Sequence, residues 1–337
     1  MTSKLLFFGV CLFINLSHLQ IHAAEVYQPQ QNENNLTSHR EKSDELEQDM
    51  RSKHDRLFNW QAYIDLNAGY NSNYQLLGKQ DVASNANLEN DGYYSELMLG
   101  STLRLLDTQN SDLKLLIDYG IKTFSEDTLQ SSSFYSSLPY SYYFDNYRLR
   151  GIVDYASYSQ EGESLLNETG TRIDITRKFG FLHLKGLLQL QKSRAPQETY
   201  NYLDNDFRLI NLQLKKISHS QIYAFDLNTY SLQYPQNALE NHNVWGSSAY
   251  ALLLHNRKEY LFKVKYHIKN YTSAIDGNIN RQDRIWSIAF IPSYFFSKTL
   301  NLYLKMEYSV NTSNYSDELE DYNYQRIYAL MGIKWFL

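Results

Sequence analysis

The chain has 337 residues, 43% hydrophobic and 20% charged, with 30 tyrosines, 14 glycines and only 5 prolines. That composition excludes a disordered chain, a collagen and a low-complexity scaffold. A formal net charge of -5 offers no basic excess to a nucleic acid, and the single cysteine, Cys11, excludes a disulfide framework and a Cys-ligated zinc site. The mean hydropathy of -0.53 argues against a multi-helix membrane protein. It does not argue against a strand-built one, because membrane strands keep every second residue polar.

The first element is a short apolar run, Leu5 to Leu16, behind Lys4. It has the length of a signal-peptide core and is too short to span a bilayer as a helix. Ala23-Ala24 offers small residues for cleavage, so residues 1–24 read as a signal peptide. Residues 25–57 form a polar arm. Ser38-x-x-Glu41 has the pattern of a capping box, and only Leu46 and Met50 give the following segment an apolar edge. The arm reads as a solvated segment or short helix on the periplasmic side; a plug or a dock for a periplasmic partner is the alternative.

From Phe58 to Leu337 the pattern changes to period two. In the first segment Trp60, Ala62, Ile64, Leu66, Ala68 and Tyr70 share one face, and Gln61, Tyr63, Asp65, Asn67 and Asn71 the other. Between Glu259 and Tyr271, Tyr260, Phe262, Val264, Tyr266 and Ile268 oppose Lys263, Lys265, His267 and Lys269. A helix would scatter such a set around its circumference; a strand gathers it on one side. The alternation predicts fourteen strands: 58–74, 92–106, 112–124, 131–144, 147–158, 167–179, 181–194, 204–216, 221–235, 243–256, 259–273, 283–297, 300–314 and 322–337. The fourth contains Pro139, which weakens a strand interior.

Connections alternate in length. Those at 107–111, 145–146, 180, 217–220, 257–258 and 298–299 are tight; those at 75–91, 125–130, 159–166, 195–203, 236–242, 274–282 and 315–321 are longer. The fold class expected is all-β: a single antiparallel up-and-down transmembrane β-barrel of about 14 strands over 58–337, in the outer membrane of a Gram-negative cell. The short turns are then periplasmic. Trp60 and Trp335 fall at the periplasmic strand ends, Trp245 and Trp286 at the outer ends, as aromatic girdles would. A soluble sandwich also alternates, but these strands are long, regular and unbroken to the last residue.

No nucleophile with an adjacent base, no metal-ligand spacing and no phosphate-binding glycine loop stands out. The expectation is a non-enzyme without cofactor or metal. The surface that alternation offers for function is the lumen. Its basic members include Arg148, Arg150, Arg172, Lys185, Lys263, Lys265, His267, Lys269, Lys305 and Arg326. Many such charges brace a barrel wall by pairing. Lys263, Lys265 and Lys269 have no acid between them on their own face, so they are the first candidates for contact with an anionic solute or polymer.

The last strand resembles the C-terminal assembly signal of outer-membrane barrels. Gly332, Trp335 and Leu337 sit at the spacing of its glycine and two hydrophobic positions. Leu330 stands where a polar residue is usual, and the chain ends in Leu337 where phenylalanine is usual. The resemblance implies the barrel assembly machinery and outer-membrane lipid as partners. Ala68-Gly69-Tyr70-Asn71-Ser72-Asn73 resembles the opening Gly-Tyr-Asp-Ser-Asn strand of export-linked barrels. That group includes the surface lipoprotein assembly modifiers and putative β-barrel porins. With the charged inner faces, the expected function is a transport channel or export pore; a non-transport surface barrel (an assembly aid, an adhesin or a structural barrel) is the alternative, and an outer-membrane lipid hydrolase the remotest.

Overall fold

The computed structural model describes residues 60–72, 92–124, 130–160, 162–236, 240–272, 281–314 and 323–337. The signal peptide and polar arm expected at 1–57 lie outside them.

Fourteen strands form one closed antiparallel barrel in which each pairs with its sequence neighbours and the last returns to the first. They are β1 (Trp60–Asn71), β2 (Gly92–Asp107), β3 (Ser111–Phe124), β4 (Gln130–Phe144), β5 (Tyr147–Gln160), β6 (Glu163–Phe179) and β7 (Leu182–Arg194). The second half is β8 (Asn205–Ser218), β9 (Gln221–Gln233), β10 (His242–His255), β11 (Lys258–Tyr271), β12 (Gln282–Phe295), β13 (Leu300–Ser313) and β14 (Tyr324–Phe336). Closure leaves no free edge, so backbone groups pair between strands, as a hydrocarbon environment demands. Leu66 lies opposite Ile333 and Tyr70 opposite Ala329 in the β1–β14 seam.

The barrel is turned inside out relative to a soluble domain. Ile210, Ile288 and Met331 are 60%, 58% and 57% exposed on the outer wall, whereas Asp65, Asp118, Asp174 and Arg172 are buried on the inner one. Aromatic residues flank the outer band. Trp60 and Trp335 lie at the short-turn rim. At the other rim Tyr70 packs on Tyr93, and Tyr266 on Trp286 at 4.3 Å between ring centres.

The prolines interrupt pairing without ending their strands. The β3–β4 ladder skips from Leu113–Tyr140 to Leu116–Ser137, across Pro139. The β12–β13 ladder skips from Phe290–Met306 to Ser293–Tyr303, across Pro292. In each case an N–H is missing where a ladder bond would form.

One expected loop is corrected. The segment 159–166 is largely strand: β5 runs to Gln160 and β6 starts at Glu163. Pairing continues through Tyr158–Leu166 and resumes at Ser159–Ser164, so a bulge at Leu165 takes up the extra residue. Gly162, at φ +85°, supplies the left-handed turn. The polar stretch here has the composition of a loop, yet Ser159 and Gln160 pair with Ser164 and Glu163.

Candidate functional site: the barrel lumen

Every second side chain points inward, so the lumen wall is a set of cross-strand rows, and register decides which charges meet. Three sectors differ in how they settle their charge.

The first spans β4 to β6 and is an arginine–aspartate ladder. Arg150 Nε donates to Asp174 Oδ2 at 2.7 Å, and Arg148 Nη2 lies 3.6 Å from the other oxygen of the same carboxylate. Arg172 donates from Nε to Asp154 at 3.2 Å and from Nη2 to the Tyr135 hydroxyl at 2.8 Å. Asp174 is 1% exposed. These arginines brace the wall. Lys185 is buried beside them, with Thr176 on one side and Gln213 on the other.

The second sector surrounds the seam. Lys334 stands 3.7 Å from the centre of the Tyr63 ring and 3.8 Å from Asp65, which also accepts from Tyr303 at 2.9 Å. Tyr63 donates to Asp118 at 2.8 Å. Lys305 pairs with Glu307 at 3.3 Å and, with Arg326, lies over the Tyr328 ring. Arg326 Nε donates to Asn71 at 3.0 Å. The tyrosine rings fit because glycines face them. A Cβ on Gly332 would stand 2.5 Å from Tyr303 Cζ, and one on Gly69 2.5 Å from Tyr94 Cζ. Each glycine is the direct cross-strand partner of its tyrosine, as Gly100 is of Tyr63. The glycine of the expected assembly signal is therefore one half of a side-chain joint inside the barrel. Trp335 and Leu337 face outward, and Leu330 points inward against Tyr94.

The third sector, β10 to β12, is different. On β11 Lys263 faces Tyr250 on one side and Ala289 on the other; Lys265 faces Ser248 and Ser287. No acid lies directly across from either lysine; Asp226 and Glu307 stand one strand further along their rows. Asp226, the nearest acid towards β9, already accepts from Gln213 at 2.9 Å, Ser248 at 3.3 Å and Asn211 at 3.4 Å. Glu307, the nearest towards β13, is held by Lys305. Among the described residues neither Lys263 nor Lys265 has an ion pair or hydrogen bond. Two like charges thus sit two residues apart on one strand face with neutral walls on both sides.

Lys269 does not continue that run. It is 2% exposed, directly across from Asp283, with its ammonium 4.7 Å from the Tyr271 ring centre. Arg281 binds the same Asp283 through two bonds, at 3.1 and 2.6 Å. His267 lies between the two groups, edge-on to Tyr230 and opposite Gly246. An apolar shelf of Phe207, Tyr230 and Val244 adjoins it on β8 to β10. The period-two reading contained no signal for this shelf, because its members are apolar residues on the polar face.

Among the described residues no group of three or more His, Cys, Asp or Glu could hold a metal ion, and no helix is long and apolar enough to cross a membrane.

A closed fourteen-stranded antiparallel barrel with an apolar outer band and a charged interior has the architecture of the β-barrels that cross bacterial outer membranes. Solved structures similar to it include in-vitro-folded OmpT, an outer membrane protein of Vibrio cholerae, with 8% identity over 85% of this chain and 100% of that one, at a TM-score of 0.48. An anion-selective porin from Comamonas acidovorans gives 12% identity, 82% and 98% coverage and a TM-score of 0.47. A bacterial polysaccharide outer membrane secretin gives 8%, 82% and 98%, and 0.44. At these identities the likeness is one of fold alone. No family model and no curated protein matches the sequence.

Proposed function

We propose that this chain is an outer-membrane channel for anionic solutes or for an anionic polymer on its way out of the cell. In this reading residues 1–24 direct export and are cleaved, and the long-loop rim faces the exterior. The protein acts without catalysis or cofactor.

The observation that carries the reading is the Lys263–Lys265 pair. Elsewhere in the lumen, Arg148, Arg150, Arg172, Lys269, Lys305 and Lys334 face carboxylates or tyrosine rings and serve the wall. Here the wall offers hydroxyls and small apolar groups, and the two nearest acids are already engaged. Unneutralised charge in a low-dielectric tube focuses field and raises the local concentration of anions. The resemblance of Gly69-Tyr70-Asn71-Ser72-Asn73 to export-linked barrels favours a polymer over a nutrient, and the lumen chemistry suits both.

Planar-bilayer recording of the full chain under a salt gradient tests the proposal. Wild type is expected to conduct with a reversal potential on the anion side, and the K263E/K265E double variant to shift it towards the cation side. No conductance from the wild type, even after deletion of residues 25–57, would overturn the channel; an unchanged reversal potential in the double variant would overturn the assigned site.

A further inference from the structure

The outer wall carries a second basic feature, which the channel reading does not use. At the long-loop rim of β1, β2 and β10 to β12 the outward positions are aromatic, as at Tyr70 and Tyr93, Trp245, and Tyr266 and Trp286. On β7 and β8 they are not. There Leu188 and Leu190 give way to Lys192 and then Arg194, and on the antiparallel neighbour Ile210 gives way to Arg208. Arg208 is the fourth residue of β8 and Trp245 the fourth of β10, so charge and ring occupy matching distances from the same rim.

The local geometry makes this a patch. Lys192 pairs in register with Asp206, and Arg208 with Leu190, so the two basic residues are diagonal neighbours on the outer face. Asp206 is engaged by Arg194 Nη2 at 2.6 Å. Arg194 is fixed further by bonds from Nη1 to the Ser193 and Asn205 carbonyls, at 2.7 and 2.9 Å. Among the described residues Lys192 and Arg208 make no ion pair or hydrogen bond, and both are exposed. Their flanks on β6 and β9 are hydroxyl-bearing: Thr169 lies opposite Lys192, and Ser231 opposite Arg208.

Free ammonium and guanidinium groups at the edge of an apolar band cannot enter hydrocarbon and must lie among headgroups. A fixed arginine, two free cations and adjacent hydroxyls form a donor set suited to phosphate oxygens. We propose that the outward Lys192–Arg208 patch, supported by Arg194, binds the phosphate groups of the phosphorylated glycolipid that forms the outer leaflet. The proposal rests on the long-loop rim facing outward and is independent of whether the lumen conducts.

The test measures binding of lipopolysaccharide to the purified full chain in detergent, for wild type and K192Q/R208Q. The probes are lipopolysaccharide with its lipid phosphates, the same material enzymatically dephosphorylated, and inorganic phosphate. Wild type is expected to bind the phosphorylated form at least fivefold more tightly than either the dephosphorylated form binds or the double variant manages. A K216Q variant, altered at the opposite rim, should match wild type. Equal binding by wild type and double variant, or by phosphorylated and dephosphorylated lipid, overturns the site. Inorganic phosphate binding as tightly as the lipid, and lost in the same variant, also overturns the lipid assignment and leaves a free-phosphate site. Heat-modifiable gel mobility establishes that each variant is folded, and K192Q and R208Q singly replace the double variant if it is not.

Discussion

Replacing Asp174 by asparagine probes the charge ladder with almost no change of volume. The carboxylate side chain is wholly enclosed, accepts Arg150 Nε at 2.7 Å and lies 3.6 Å from Arg148 Nη2. The amide keeps the shape and removes the charge that two arginines share. Arg148 is then left with the Thr176 hydroxyl at 3.4 Å. Breaking a buried ion pair from one side costs about 3–5 kcal/mol. The arginine side chains retain 13% and 10% exposure to the lumen, and water there recovers part of the loss, so the lower end, about 3 kcal/mol, is expected. That corresponds to roughly 100-fold in the folding equilibrium. Reversible denaturant unfolding in detergent is the assay, followed by the fluorescence of Trp60, Trp245, Trp286 and Trp335, all on the outer wall. In a double-mutant cycle R150Q/D174N should recover roughly 1–3 kcal/mol as coupling. A D174N midpoint within about 0.5 kcal/mol of wild type at unchanged slope would refute the claim that the ladder braces the wall.

Further expectations follow from the same geometry. Ser287→Asp places a carboxylate directly across from Lys265 and should lower anion preference in single-channel recordings as far as K265Q does, without altering gel mobility. Gly332→Ala drives a methyl into a Tyr303 ring that its bond to Asp65 holds in place. Overpacking of that kind costs about 1–3 kcal/mol and should lower the folded fraction on an unheated gel. Tyr303→Phe keeps the ring and loses the hydroxyl's bonds to Asp65 and Asn67, about 1.5–3 kcal/mol by unfolding. Ile288→Arg, on the outer wall at the middle of β12, should cost about 2–4 kcal/mol on transfer from lipid to denaturant. Gly162→Ala strains the turn at φ +85°, and about 1 kcal/mol of destabilisation is expected.

The sequence by itself determined what is local. Side-chain direction in a strand reverses at every residue, so Trp60-Gln61-Ala62-Tyr63 already assigns each residue to one wall, and the fourteen strands fall within a few residues of their observed ends. The exception is 159–166, where polar residues are carried into the strands by pairing between Gln160 and Glu163. Which charges neutralise one another is not local. Lys263, Lys265 and Lys269 look alike along β11, and only the register with β12 gives Lys269 an aspartate while Lys263 and Lys265 face alanine and serine. The joint of Tyr303 on Gly332 needs strands that meet only when the barrel pairs, and the bond of Tyr303 to Asp65 needs the chain's two ends joined across the seam. The Lys192–Arg208 patch likewise exists only because two hairpin strands place separate residues side by side. Alternation is a property of one strand; a site is a property of several, and closing the barrel is what brings them together.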